Sequence, residues 1–253
     1  MPADSTLAAP PRRWQLLVSV RNLDEAKTAA ALGVDIIDFK EPRRGPLAPV
    51  DAAVWEAAAQ ALPDASLSAA LGESDSALRL ASRVPATFRF AKVGPSGLRA
   101  ASDLTDLWSE LPLPASVELV PVAYADADTA ACVEVEQVLE LVIAAGRTRM
   151  LIDTFSKDGR SLFDHLTHDH LVRLLRRANA AGVWVALAGS VRLDQVAEFA
   201  EQPVVAGCWG VRGDVCVPSV DRVPSVNPAE RRAGQLDADR VHAWMQTLQT
   251  HGN

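Results

Sequence analysis

The chain has 253 residues, a mass of 27.0 kDa, a net charge of -7 and a pI near 5.3. That acidity excludes a nucleic-acid binder, which needs a basic face. Three cysteines, Cys132, Cys208 and Cys216, without a C-x-x-C pair fit reduced thiols and not a disulfide framework or a zinc site. No apolar run reaches the roughly twenty residues that span a bilayer, and residues 1–14, with no apolar h-region after a basic start, read as a loose arm and not a signal peptide. The expectation is a cytoplasmic protein with no membrane or nucleic-acid partner.

From Gln15 onward, short apolar strands alternate with helical stretches. The first strand is expected over 15–20 (QLLVSV). A helix follows, with a capping-box-like start at Asn22 and Glu25 and a stop at Gly33. The second strand, 34–40 (VDIIDFK), carries β-branched and aromatic residues but finishes with Asp38 and Lys40 on one face. A helix beginning at Asp51 leads to strands at 66–71, 87–94 and 118–126; one helix is then expected to run from 126 to Gly146. Strand 149–155, a helix from Thr167 to Gly182, strands 184–190 and 204–211 and a last helix at 237–252 complete the series. Eight strands in strict βα alternation predict a single-domain (β/α)8 TIM barrel over residues 15–253. An open doubly wound sheet is the rival, but the first strand lacks the G-x-G-x-x-G turn of a dinucleotide fold. Residues 213–234, rich in proline and arginine, interrupt the pattern as a candidate lid or oligomer contact.

In a barrel the site lies at the C-terminal strand ends, and polar residues collect there. Ser19, Asp38, Lys40, Ser68, Lys92, Tyr124, Asp126 and Asp153 fall at or near those ends, with Glu73 and Lys157 in the loops that follow. Of 25 basic residues only Lys27, Lys40, Lys92 and Lys157 are lysines, and three of these four lie in the set. Arginine serves wherever a solvated charge suffices, whereas lysine alone can lose its proton when desolvated and attack a carbonyl. Lysines kept at strand ends therefore point to imine chemistry or proton transfer, with Asp38 and Asp153 tuning the amines. Ion pairs at the barrel mouth are the plainer alternative. The glycines of ALAGS (Gly189, Ser190) and GVRG (Gly210, Val211, Arg212, Gly213) offer backbone N–H groups where many barrels hold phosphate. His165, His168 and His170 suggest a metal site at first sight, but they sit at a helix start without a further ligand, so a solvated helix end is expected and no metal.

The blocks DIIDFKEP, AKVG, AYADA, DTFSKDGRSLFD, ALAGS and GVRG occur in the order found in the (5-formylfuran-3-yl)methyl phosphate synthases of methanofuran biosynthesis. The chain resembles that family from about Leu16 to Gly213, and weakly again in the last helix. The resemblance implies a lyase similar to class I aldolases, which condenses two glyceraldehyde 3-phosphate molecules into 4-(hydroxymethyl)-2-furancarboxaldehyde phosphate with loss of phosphate and water. It implies Lys40 as the Schiff-base lysine and Lys92 as the proton acceptor. Asp38, Asp153 and Lys157 become their supporting shell, and Gly189, Ser190, Gly210, Val211, Arg212 and Gly213 the phosphate cradle. Ser19, Tyr124 and Asp126 are further candidates for binding substrate. No cofactor is implied, since the imine is itself the electron sink. The chain departs from the family pattern at EPRRGP, where two arginines and a proline follow Lys40. The alternatives are a Schiff-base aldolase or isomerase acting on another sugar phosphate, and a non-catalytic barrel that binds a phosphorylated ligand. Outer barrel helices often pair, which leaves room for a homo-oligomer.

Overall fold

A computed structural model of the protein describes residues 14–199, 207–217 and 232–250. Eight parallel strands close into a barrel in sequence order. They are β1 Gln15–Val20, β2 Ile36–Phe39, β3 Leu67–Ala70, β4 Phe90–Val93, β5 Glu118–Tyr124, β6 Arg149–Asp153, β7 Trp184–Leu187 and β8 Cys208–Val211. Closure is made by β8 against β1, with Leu17 opposite Gly210. The expected barrel is the observed one.

Side chains alternate across each strand, which separates two apolar layers. Ile37 and Phe39 of β2 point outward into the core shared with the helices, whereas Ile36 joins Leu17, Phe90, Leu151 and Ala186 in a second cluster that fills the lumen. The next inward positions along β2 are Asp38 and then Lys40. Hence the polar end of β2 faces the lumen above an apolar plug.

The outer helices are α1 Leu23–Ala31, α2 Ala52–Ala61, α3 Ser74–Leu80, α4 Ala101–Glu110, α5 Ala127–Ala130, α6 Val135–Ala144, α7 Leu162–His165, α8 His168–Ala180, α9 Leu193–Phe199 and α10 Ala238–Thr250. The Asn22 side chain caps α1 by accepting from the Glu25 N–H at 2.9 Å. The single helix expected from 126 to Gly146 is instead two, α5 and α6. Ala131 between them is left-handed at φ 53, and the Ala130 carbonyl accepts from Gly97 N–H and Ser96 Oγ. These bonds to the β4–α4 loop end α5 despite an alanine-rich sequence that favours helix.

Trp14, assigned to the arm by sequence, is buried and packs edge-on against Trp209 at 5.8 Å, so it belongs to the barrel; the rest of the expected arm, 1–13, lies outside the described residues. Of the candidate lid at 213–234, residues 218–231 also lie outside them. Its two ends are joined by a short antiparallel pair, β9 Cys216–Val217 with β10 Gln235–Leu236.

Candidate active site

Strand register brings the polar residues together. Ser19, Asp38 and Ser68 are opposite one another on β1, β2 and β3, while Ala70 is opposite Lys92 and Tyr124 is opposite Asp153. The buried Asp38 carboxylate accepts from Ser19 Oγ at 3.1 Å and Ser68 Oγ at 2.9 Å, and pairs with Lys92 Nζ at 2.7 Å. Across the mouth, Asp153 accepts from Lys157 Nζ at 3.0 Å and from the Thr154 N–H at 2.7 Å. Lys157 Nζ also donates to the Thr154 carbonyl at 2.6 Å and to Thr154 Oγ1 at 3.0 Å. Two lysine–aspartate couples thus occupy the mouth, and both act on Lys40.

Lys40 is half-buried, and its Nζ makes no hydrogen bond or ion pair among the described residues. Its pKa falls to about 8. Desolvation is the largest cause; Asp153 and Asp38 oppose it, while the ammonium groups of Lys92 and Lys157 reinforce it. Burial alone would raise Asp153, but Lys157 and Lys40 together with the local hydrogen bonds bring it down to about 2. The arrangement therefore holds a carboxylate ionised beside an amine that gives up its proton readily. The fourth lysine, Lys27, is exposed on α1.

On the β7–β8 side, Gly189 and Ser190 both have positive φ, 102° and 53°. A Cβ on Gly189 would come within 2.8 Å of Thr154 Cγ2 and 3.0 Å of Thr154 N, so glycine is required there on both grounds. Ser190 and Gly213 line a pocket of about 200 Å³ with Gly159, Val191, Arg192, Asp214 and Arg232. Gly210 is packed at the closure of the barrel, where a Cβ would meet Ala188 Cβ at 3.1 Å. The Val211 side chain is buried in the outer core.

Residues 16–244 match the sequence profile of the family described as 4-HFC-P synthase. The chain belongs to that family. It is 30% identical over 240 residues to a (5-formylfuran-3-yl)methyl phosphate synthase from Methanococcus maripaludis, covering 89% of this chain and 95% of the relative. A Methanocaldococcus jannaschii protein of the same name is 29% identical over 237 residues, covering 89% and 96%. A putative synthase from Streptomyces griseus is 28% identical over 250 residues, covering 93% and 95%. Membership makes the chain an enzyme of the lyase class with a role in furan phosphate synthesis. Among solved structures, phosphoribosyl anthranilate isomerase from Thermotoga maritima superposes with a TM-score of 0.61 at 13% identity, covering 94% of this chain and 99% of that one. KGPDC from Streptococcus mutans gives 0.54 at 14%, covering 94% and 100%. At such identities these neighbours speak for the barrel alone.

In this 4-HFC-P synthase family member, three residues expected at the substrate have structural tasks. Every donor of the Arg212 guanidinium is taken by protein: Glu25 at 2.5 and 3.0 Å, and the carbonyls of Ser19, Arg232 and Gly234 at 3.0, 2.9 and 2.7 Å. Its side chain is a strut between β8, β1 and α1, which leaves only its backbone for a phosphate. Asp126 accepts from the N–H groups of Phe155 and Ser156 at 2.6 and 2.7 Å, which lower its pKa against the effect of burial and fix the loop that carries Lys157. Tyr124 is fully buried and donates to Glu73 Oε1 at 2.7 Å. Glu73 Oε2 accepts from the Ser96 N–H at 2.8 Å, and burial raises the acid's pKa. Two of the three histidines act locally, His168 packing on Phe163 and Phe199 and His170 pairing with Glu136 at the capped start of α8, while the Nε2 of His165 on α7 is buried with no hydrogen-bond partner among the described residues.

The site also includes residues outside the sequence candidates. Thr154 holds both Asp153 and Lys157, and its position directly after a strand-end aspartate was the available signal. Arg232 lines the pocket beside Ser190, near enough to Asp153 for the carboxylate to act on its charge. It belongs to a proline- and arginine-rich segment whose path no periodicity gives.

Proposed function

We propose that this enzyme condenses two molecules of glyceraldehyde 3-phosphate into 4-(hydroxymethyl)-2-furancarboxaldehyde phosphate through a Schiff base on Lys40. The supporting observation is the free Lys40 amine with a pKa of about 8, set between the Asp38–Lys92 and Asp153–Lys157 couples. At pH 7 roughly a tenth of such amines are neutral, against fewer than about one in a thousand for an ordinary lysine. Lys40 attacks the aldehyde carbon of one triose phosphate and water leaves, giving an iminium ion. The positive nitrogen acidifies the adjacent carbon, and Lys92 is the group that accepts that proton to give an enamine. Asp38 holds Lys92 Nζ in place for the transfer. The enamine carbon attacks the second aldehyde, forming the new carbon–carbon bond. Loss of one phosphate, ring closure and hydrolysis of the imine follow, the last returning Lys40 as the amine; a net release of two waters balances two triose phosphates against the furan monophosphate. The pocket at Ser190 and Gly213 takes a phosphate on backbone N–H groups, with Arg192 and Arg232 beside it. Family membership supports the product; the lysine set supports the route.

The test is mass spectrometry of products formed from glyceraldehyde 3-phosphate, with borohydride added in a parallel reaction. A furancarboxaldehyde phosphate from the wild type, none from Lys40→Ala, and a reduced adduct on Lys40 are expected. Unreacted or merely isomerised triose phosphate with a trapped adduct would point to an aldolase or isomerase on another sugar phosphate. No product and no adduct would overturn the imine.

A further inference from the structure

A reaction that joins two phosphorylated aldehydes has two anions to hold at once, and the pocket at Ser190 and Gly213 is large enough for one. Elsewhere at the mouth lies a larger cleft of about 620 Å³, within the usual range for small-molecule sites. One wall is the loop that directly follows Lys40, from Arg44 to Pro49; another is the start of α3 with Ser74, Ser76 and Arg79; Ser96 and Phe155 complete it. Phe155 stands two residues after Asp153, and Glu73, also in the lining, is hydrogen-bonded to Tyr124, the register partner of Asp153. The cleft is therefore built from the segments that follow β2, β3, β4 and β6, at the same end of the barrel as the reactive centre.

Its charges are suited to an anion. Arg79 is exposed and has no hydrogen bond or ion pair among the described residues. Arg44 is exposed, and the one partner of its guanidinium among the described residues is an exposed Asp51 at 3.4 Å, a pair that costs little to give up. Ser76 and Arg79, three apart, share one face of α3. Two acids also line the cleft. Glu73 is engaged by Tyr124 and the Ser96 N–H, and Asp75 is exposed at the first turn of α3. Phe155 and Leu47 give the cleft an apolar side for a carbon chain.

We propose that this cleft binds the second phosphorylated aldehyde, its phosphate held by Arg44 and Arg79, with its carbonyl toward the amine-bound triose on Lys40. This rests on the two-triose reading of the reaction. The two phosphates then sit in separate pockets and the two carbon chains meet over Lys40, which gives a task to Arg44, one of the two arginines in the turn after the lysine.

The experiment counts binding of glycerol 3-phosphate by isothermal titration calorimetry, since that ligand has the phosphate and the chain but no carbonyl to form an imine. Two equivalents are expected for the wild type and one for the Arg44→Ala/Arg79→Ala double variant; both side chains are exposed, so the barrel should tolerate their truncation. The double variant should keep the borohydride-trapped adduct on Lys40 and need about tenfold more triose phosphate for half-maximal product, as loss of charge-assisted contacts predicts. One equivalent in the wild type, an unchanged stoichiometry in the variant, or loss of the trapped adduct would overturn the assignment. If the wild type makes no furan, the two-triose reading falls on that result, while the stoichiometry still decides whether the cleft is an anion site.

Discussion

Lys40 is held in a balance of opposing charges. Desolvation pushes its proton off; Asp153 and Asp38 pull it back, and Lys92 and Lys157 push again, leaving a pKa of about 8. Imine formation should therefore rise with pH through about 8 and level off above it, read from the rate of borohydride-trapped adduct. The neighbours predict opposite shifts of that midpoint: Asp153→Asn removes a raising charge and lowers it, whereas Lys157→Met removes a lowering charge and raises it. Stability carries the same sign logic. Between about 8 and the usual 10.5 the unfolded chain holds a proton that the folded chain lacks, so stability rises with pH across that window and the full penalty applies below it. Lys40→Met should thus stabilise the protein at pH 7 by about 1–3 kcal/mol, measured by urea unfolding. The lysines were legible because the chain uses arginine almost everywhere else, and those retained at strand ends do meet in space. Tyr124 was equally conspicuous, yet its partner Glu73 lies 51 residues away. That pairing depends on how the ends of β3 and β5 converge, which a period-two pattern does not contain.

At the scale of elements, the strands were readable because alternation and β-branching act locally. The break between α5 and α6 was not, because it is made by bonds from the β4–α4 loop and by the turn at Ala131, with no glycine or proline to mark it. Glu25 shows the same limit. Its place in a capping-box-like start was visible, but its carboxylate accepts from the Arg21 N–H at 2.9 Å, one residue before the cap. Its larger task is to receive Arg212 from 187 residues away. That buried fork ties the start of α1 to the end of β8 and, through carbonyls, to β1 and the segment before α10. Arg212→Met should cost about 3–5 kcal/mol, since it leaves the Glu25 carboxylate buried without its cation. Adding Glu25→Gln should recover part of the loss in urea unfolding. Glycerol 3-phosphate affinity of the folded double variant should match the wild type, which separates the strut from a ligand contact.

Across the whole molecule, the reactive lysines and the Arg149 cluster are placed at opposite ends of the barrel, as its geometry allows. The site occupies the C-terminal ends of the strands. At the other end, Arg149, Glu118 and Trp184 are the first residues of β6, β5 and β7. The Arg149 guanidinium lies 4.8 Å from the Trp184 ring centre and 5.1 Å from that of Phe90, and its Nε donates to Glu118 at 3.0 Å. Leu17, Ile36, Phe90, Leu151 and Ala186 fill the lumen between this floor and the lysines. An apolar plug of that kind carries no charge from one end to the other, and its packing resists deformation. Arg149→Ala should therefore lower stability by about 1–3 kcal/mol through lost ring stacking and a half-exposed ion pair. It should leave kcat and the pH midpoint of Lys40 where they are. A shifted midpoint at unchanged fold would mean that the lumen transmits strain from floor to mouth, and that the field around Lys40 depends on more than the four charged neighbours beside it.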